Sequence, residues 1–132
     1  MSEIFAADVA SRALGIELVE VAAGTAKATM RLTEQMVNGH GIAHGGYLFL
    51  LADTTFACAC NSYGPATVAA GAEISFVSPG RVGDVLVAVA EERTRYGRNG
   101  IYDVTVYREV DGRRDVLAEF RGRSRTIQPA GG

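Results

Sequence analysis

The chain has 132 residues, of which 48% are hydrophobic and 21% are charged, values typical of one globular domain with a single core. Its formal net charge of −2 excludes the basic balance expected of a protein that binds nucleic acid or an anionic membrane surface. The composition predicts one domain over residues 1–132, in which residues 128–132 form a frayed tail.

Targeting and redox features favour the cytoplasm. Residues 1–15 lack the basic start and apolar run of a signal peptide, and the apolar window 47–52 is too short to span a bilayer. Cys58 and Cys60 should point to different faces of a predicted helix, which argues against a disulfide between them. No cysteine and histidine spacing matches a zinc site. We expect a cytoplasmic, soluble protein with no metal, no cofactor, and no membrane or nucleic-acid partner.

The first elements in chain order are a short helix and two strands. Residues 3–14 have the apolar spacing of an amphipathic helix, which Gly15 ends. Residues 16–21 form a candidate strand, and residues 25–32 alternate apolar and polar side chains, as a half-buried strand does. A polar turn at 33–38 follows.

Residues 47–62 form the predicted central helix, which is apolar on nearly every side. Such a helix is buried within a fold, because a surface helix shows a polar stripe. One sheet cannot cover all sides of it, so we expect a second copy of the chain or another element to cover the rest.

The remainder of the chain predicts about four antiparallel strands, at 67–77, 85–94, 101–110 and 116–127. A turn is expected at 96–100, and Asp111-Gly112 is typical of a hairpin. In the first of these strands, alternation places five apolar residues on one face: Val68, Ala70, Ala72, Ile74 and Phe76. The element order predicts an α+β fold in which a curved antiparallel sheet wraps around one long central helix.

Asp53 is the first candidate for chemistry, because a carboxylate within an apolar helix needs an explanation. Two interpretations stay open. The acid is satisfied by an arginine or a chain end, or its surroundings raise its pKa and make it a base or nucleophile.

Gly45-Gly46 lies at the start of the central helix, where unpaired backbone N–H groups can hold an oxyanion. A tight turn into the helix is the structural alternative. Gly45 and Asp53 are eight residues apart, hence about 12 Å along one helix. If both act on one substrate, they come from two antiparallel copies of the helix, and the site lies at a dimer interface.

The loop before the helix holds both histidines of the chain. His40 and His44 are four residues apart, but the surrounding glycines indicate a loop, and a third ligand is lacking, which argues against a metal site. His44 is expected to shape the loop by hydrogen bonding. Asn38 is a turn former whose amide could also hold a water or a carbonyl group.

Arg121, Arg123 and Arg125 share one face of the last predicted strand. They are either a solvated face that discourages aggregation or a stripe that binds the phosphate of a small molecule.

Residues 38–64, NGHGIAHGGYLFLLADTTFACACNSYG, followed by SFVSPGRVGD, resemble the hot-dog-fold acyl-CoA thioesterases, specifically the phenylacetate-degradation (PaaI-type) branch. The resemblance covers roughly residues 10–127 and depends on the spacing of Asn38, His44-Gly45-Gly46 and Asp53. It implies a hot-dog fold, in which an antiparallel sheet surrounds a central helix. It also implies a homodimer that completes the site, and a homotetramer as a dimer of dimers.

The resemblance further implies hydrolysis of an acyl-CoA, with an aryl-acetyl-CoA such as hydroxylated phenylacetyl-CoA as the substrate, to free acid and CoA. Asp53 would be the catalytic carboxylate, and Gly45 would donate its N–H to the thioester oxygen. Asn38 and His44 would position the thioester or the attacking water. Four further residues would bind substrate: Gly46, Thr54, Arg121 and Arg123.

The sequence departs from some relatives, which carry a Ser or Thr on the following strand that assists the water. The strand here has Ala69-Ala70-Gly71, so the helper is missing or is supplied by Thr54 or Thr55.

Two alternatives stay open on the same scaffold. A hot-dog enoyl-CoA hydratase or dehydratase needs a histidine and an acid placed for proton transfer at the α and β carbons, and the position of His44 before the glycines fits a thioesterase better. A non-catalytic acyl-CoA-binding module would not need Asp53.

Overall fold

The computed structural model describes residues 2–127, so the tail predicted at 128–132 lies outside the described residues. The helices are α1 (Glu3–Ala6), α2 (Val9–Ala13) and α3 (Gly45–Cys60). The strands are β1 (Glu17–Ala22), β2 (Thr25–Arg31), β3 (Thr67–Phe76), β4 (Val85–Tyr96), β5 (Asn99–Val110) and β6 (Arg113–Thr126). All strand pairs are antiparallel and form one sheet in the order β1-β2-β4-β5-β6-β3. The predicted α+β architecture, with one long helix against an antiparallel sheet, is confirmed.

The core lies between α3 and one face of the sheet. Leu51 and Phe56 of α3 are buried against inward side chains of the central strands, among them Tyr102, Val104 and Phe120. Phe56 lies so close to Gly122 that a Cβ there would be 2.8 Å from its ring. The alternation predicted for the second strand is confirmed, since Ala26, Ala28 and Met30 are buried.

The hairpin turn between β5 and β6 matches its prediction, whereas the turn between β4 and β5 is shorter than predicted. The Asp111-Gly112 turn is confirmed, and both residues have positive φ, 51° and 75°, as a two-residue type I′ turn requires. The turn predicted across 96–100 is wrong in length. Only residues 97 and 98 turn, because Gly97 supplies a φ of 58° and lets Tyr96 and Asn99 pair directly.

The single helix predicted at 3–14 is wrong, because the segment folds as α1 and α2. Asp8 interrupts it, and its carboxylate caps the second helix by accepting from the Ser11 N–H at 2.9 Å. The two helices therefore do not present one continuous apolar face, and Ile4 and Val9 are exposed.

The single face predicted for the five apolar residues of the strand at 67–77 is interrupted by a bulge. Strand β3 lies at the sheet edge and is bulged between Ala69 and Gly71, so its side chains change direction partway along. Val68, before the bulge, lies opposite outward-facing Arg125 and is exposed. Ala72, Ile74 and Phe76, after the bulge, keep the face that looks towards α3, and Phe76 is exposed because it ends an edge strand.

The central helix begins two residues earlier than the predicted 47–62 and ends two residues earlier. Its uncovered stripe consists of residues spaced three or four apart: exposed Gly46 and half-buried Leu50, Asp53 and Ala57. The sheet of this chain thus leaves one side of the helix open. Within residues 2–127, no helix is long and apolar enough to cross a membrane.

Cys58 and Cys60 are free thiols, and both are buried on α3. Burial raises the pKa of Cys58 to about 11 and that of Cys60 to about 12, so both are neutral, unreactive side chains at neutral pH.

Candidate functional site

The loop before α3 is fixed at both ends by backbone hydrogen bonds. The His44 N–H donates to Met36 O at 2.7 Å, and the Ala43 N–H donates to Gly80 O at 2.8 Å. Inside the loop, Asn38 Oδ1 accepts from the His40 N–H at 2.9 Å, which closes a turn around the side chain. The Asn38 Nδ2 group donates to none of residues 2–127, so it is available to a ligand.

His44 caps α3 with its side chain. Its Nδ1 accepts from the Gly46 N–H at 3.1 Å, so the neutral ring carries its proton on Nε2. The Gly45 N–H, by contrast, makes no hydrogen bond with any residue from 2 to 127. One free donor therefore stands at the positive end of the α3 dipole, and it belongs to Gly45.

Gly45 opens onto a groove of about 440 Å³. The groove walls come from the loop before α3, the first turn of α3 and the segment that follows β3: Asn38, Ile42, Ala43, Gly45, Leu48, Phe76, Val77, Ser78, Pro79 and Gly80. None of these side chains is charged. The predicted residues Asn38 and Gly45 are thus brought together, with His44 beside them as the helix cap.

Asp53 lies two turns further along α3 and does not line this groove. It forms no ion pair and no side-chain hydrogen bond with the described part of the chain. Burial, and secondarily the negative charge of Asp8, raise the pKa of Asp53 above its ordinary value. The arginine partner considered as an alternative from the sequence is therefore not found among residues 2–127.

Thr54 and Thr55 are both buried and hydrogen-bonded inside the chain. Thr55 donates to Leu51 O at 2.7 Å. Thr54 Oγ1 lies 2.6 Å from Ser11 Oγ, which in turn donates to Asp8 Oδ2 at 2.6 Å. Because the Ser11 proton goes to the carboxylate, the Thr54 hydroxyl donates to Ser11. The Thr54 side chain faces α2 and the Thr55 side chain bonds within α3, so neither lies in the groove with Gly45.

Arg121 and Arg123 lie on the sheet face opposite α3, since they alternate with Gly122, which packs on Phe56. Arg121 donates to both oxygens of Asp103 at 2.7 and 2.9 Å, and these hydrogen bonds hold the pKa of Asp103 below its ordinary value. Arg123 pairs with Glu73. The structure therefore does not place these two arginines next to Gly45 or Asp53. Within residues 2–127, no three His, Cys, Asp or Glu side chains cluster as a metal site would require.

Comparison with known proteins identifies the family. The model of the thioesterase superfamily matches residues 40–114, more than half of the chain. The acyl-coenzyme A thioesterase PaaI of Escherichia coli K12 is 45% identical over 120 residues, which cover 91% of this chain and 84% of that protein. The chain belongs to the thioesterase superfamily. The thioester hydrolase predicted from the sequence is confirmed at the level of this family.

Solved structures agree with this membership of the thioesterase superfamily. The structure matches the E. coli PaaI protein from the phenylacetic acid degradation operon with a TM-score of 0.90 and 42% identity, over 95% of this chain and 88% of that one. A variant of the phenylacetic acid degradation protein PaaI from Thermus thermophilus matches with a TM-score of 0.82 and 32% identity, over 89% of this chain and 97% of that one. The predicted hot-dog fold is confirmed.

Two features at or near the candidate site were not assigned from the sequence. The first is the segment 76–80, which forms one wall of the groove. It lies within the SFVSPGRVGD motif, and that motif was the signal that could have placed it at the site. The second is the chain of hydrogen bonds from Asp8 through Ser11 to Thr54, which no local pattern predicts because Ser11 and Thr54 are 43 positions apart.

Proposed function

We propose that this chain is an acyl-CoA thioesterase that hydrolyses an aryl-acetyl-CoA, such as a hydroxylated phenylacetyl-CoA, to the free acid and CoA. The observation that carries the proposal is the free Gly45 N–H at the start of α3, beside an uncharged groove. The relatives support the substrate class: one is an acyl-coenzyme A thioesterase, and it belongs to a phenylacetic acid degradation operon.

Gly45 supplies the oxyanion donor. The thioester carbonyl oxygen accepts from the Gly45 N–H, and the α3 dipole adds favourable field as negative charge develops on that oxygen. A glycine allows the substrate to approach the backbone closely. Asn38 Nδ2 donates to the same oxygen or to the attacking water. His44 acts by holding the first turn of α3, since its Nδ1 engages the Gly46 N–H and leaves the neighbouring donor free.

A second copy of the chain supplies the carboxylate. Gly45 and Asp53 are separated by about 12 Å along α3, and Asp53 faces the side of the helix that the sheet of this chain leaves uncovered. An antiparallel α3 from a partner would cover that stripe and bring its carboxylate to the groove. We therefore propose a homodimer as the active unit, and a homotetramer formed from two such dimers.

Asp53 has two possible roles. As a general base it takes a proton from water, whose oxygen forms the new bond to the carbonyl carbon. As a nucleophile its own oxygen forms that bond, and water then hydrolyses the mixed anhydride. In either role the tetrahedral intermediate collapses by breaking the C–S bond, and the CoA thiolate leaves and takes up a proton. Its raised pKa favours proton uptake by the carboxylate at the working pH.

Four further residues are proposed to contact the substrate: Gly46, Thr54, Arg121 and Arg123. Gly46 borders the oxyanion donor through its backbone. Thr54 would bind substrate by exchanging its hydrogen bond with Ser11 for one to the substrate. Arg121 and Arg123 would bind CoA phosphates by exchanging part of their contact with Asp103 and Glu73 for the phosphate. Arg123→Gln would then raise KM for the CoA ester and leave kcat unchanged.

The test is release of free thiol from phenylacetyl-CoA, with Asp53→Asn as the inactive control. Crotonyl-CoA distinguishes a thioesterase from an enoyl-CoA hydratase, because a hydratase would hydrate it without releasing thiol. Tight binding of acyl-CoA without thiol release would indicate a binding module and overturn the proposal. A single turnover in ¹⁸O-labelled water assigns the role of Asp53, since label in its carboxylate requires attack by that carboxylate.

A further inference from the structure

Phe76 is the last residue of β3, and its ring reaches across to the start of α3. A Cβ built on Gly45 would lie 2.6 Å from Phe76 Cζ and 3.0 Å from Cε1, so the tip of the ring rests on the Gly45 α-carbon. The rest of the side chain is open to the groove, since Phe76 is 57% exposed. The ring therefore stands next to the free N–H that we assign to the oxyanion.

The other aromatic side chains near this point are engaged elsewhere. Tyr47 packs edge-on against the His44 ring, with centroids 6.5 Å apart, and Phe49 packs against Phe120 at 5.3 Å. Phe76 is the one aromatic residue among those that line the groove in the described chain.

Within the described chain, the groove has no cationic side chain that would pair with a phosphate group. Its walls are formed by apolar side chains such as Ile42 and Leu48, with Asn38 and Ser78 as neutral polar groups. Burying an anion there would leave it without a cationic partner, which is costly. The diphosphate of CoA is thus excluded from this groove. The groove instead suits the uncharged acyl part of the substrate.

We propose that Phe76 is the specificity-determining residue that selects an aromatic acyl group. The inference rests on the proposed function and deepens it by naming the contact. With the thioester oxygen at the Gly45 N–H, the aryl ring of the substrate lies against the exposed edge and face of Phe76. Aromatic pairs gain stabilisation from offset and edge-to-face geometry beyond the area they bury, whereas an alkyl chain gains only the burial.

The experiment compares phenylacetyl-CoA with octanoyl-CoA as substrates of the protein. Phe76→Leu removes the ring and keeps an apolar side chain, so the ratio of kcat/KM for phenylacetyl-CoA to that for octanoyl-CoA should fall by about tenfold. Phe76→Tyr keeps the ring and should hold that ratio within about twofold of the wild-type value. Tyr96→Leu is the matched control, because Tyr96 is an aromatic residue of similar exposure, 54%, that does not line the groove.

Two results would overturn the inference while the proposed function stands. Both leave the ratio in Phe76→Leu unchanged: either neither substrate loses kcat/KM, or both lose it equally, which would mark Phe76 as structural only. If the wild-type protein releases no thiol from either ester, the proposed function fails, and binding then decides the inference alone. Dethia analogues, with CH₂ in place of the thioester sulfur, should show the same tenfold loss of aryl selectivity in their Kd ratio; equal Kd ratios would refute it.

Discussion

Arg108 on β5 and Asp84, just before β4, form a 2.6 Å charge-assisted hydrogen bond between Nη1 and Oδ2. The same guanidinium donates from Nε to Asp115 of β6 at 2.8 Å, and Asp84 also accepts from the Arg81 N–H at 2.8 Å. This cluster holds the segment that follows β3. Gly80 in that segment accepts from Ala43, so the cluster indirectly supports the groove wall opposite Gly45.

Arg108→Gln should lower the free energy of unfolding by about 1–2 kcal/mol, because two partly buried carboxylates lose one shared partner. Urea denaturation at pH 7 measures the change. Arg93→Gln is the control: its contact with Asp103 is 3.4 Å long and the side chain is 55% exposed, so the loss should stay below about 0.5 kcal/mol. Equal losses in the two variants would show that the Arg108 cluster has no special structural role.

Asp53→Asn should be more stable than the wild type at pH 7 while its kcat falls by about 10²–10⁴. Burial raises the folded-state pKa of Asp53 above the ordinary value of 3.8, so the folded protein holds that proton more tightly than the unfolded chain does. The contribution to stability is present below pH 3.8 and is lost as pH rises through the raised pKa.

Unfolding curves recorded from pH 3 to pH 8 check this prediction. The difference between wild type and Asp53→Asn should vanish at the acid end and grow towards neutral pH. Asp111→Asn controls for the loss of one negative charge, at an exposed turn where Asn also tolerates positive φ. An Asn variant that is less stable than the wild type at pH 7 would mean that the charged carboxylate is favourably paired in the folded assembly.

The sequence predicted those parts of the fold that depend on local pattern. The alternation around Ala28, the Asp111-Gly112 turn and the apolar helix around Asp53 each follow from neighbours in the chain. The helix length also placed Gly45 and Asp53 too far apart to act together from one copy.

The features that the sequence could not predict depend on tertiary position. Strand β3 has the same alternating pattern as a central strand, and only its place at the sheet edge leaves the inward-facing Phe76 exposed. In the sequence, Asp8 looks like an ordinary polar residue on a helix surface. Its link through Ser11 to Thr54 forms only when α2 packs on α3. The sequence predicts that Arg121 and Arg123 share one face of a strand. It does not predict their partners, because Asp103 and Glu73 come from neighbouring strands.

Asp8→Asn should shift the acid limb of the pH profile of kcat/KM to lower pH. Asp8 is the second cause, after burial, of the raised pKa of Asp53, and removing its charge lowers that pKa. The thiols nearby do not titrate in the working range, because Cys60 has a pKa of about 12. Asn keeps an oxygen that can accept from the Ser11 N–H, so the cap of α2 is retained.

Ser11→Ala provides the matched control for this shift. It breaks the hydrogen bonds of the Ser11 hydroxyl to Asp8 and Thr54 but leaves the Asp8 charge in place. It should lower stability without moving the acid limb. If Ser11→Ala moves the limb as far as Asp8→Asn does, the hydrogen-bond chain and not the Asp8 charge sets the pKa of Asp53.

Gly45→Ala should lower kcat for phenylacetyl-CoA, and Phe76→Leu should partly restore it. The new methyl group would lie 2.6 Å from Phe76 Cζ, so the exposed ring must swing away and carry the groove wall with it. The N–H that we assign to the oxyanion survives the substitution, so the loss should stay below the roughly 10²–10³ typical of a deleted oxyanion donor. Kinetics of the two single variants and the double variant form a cycle whose coupling should be positive. Additive losses would show that the ring and the Gly45 backbone act independently.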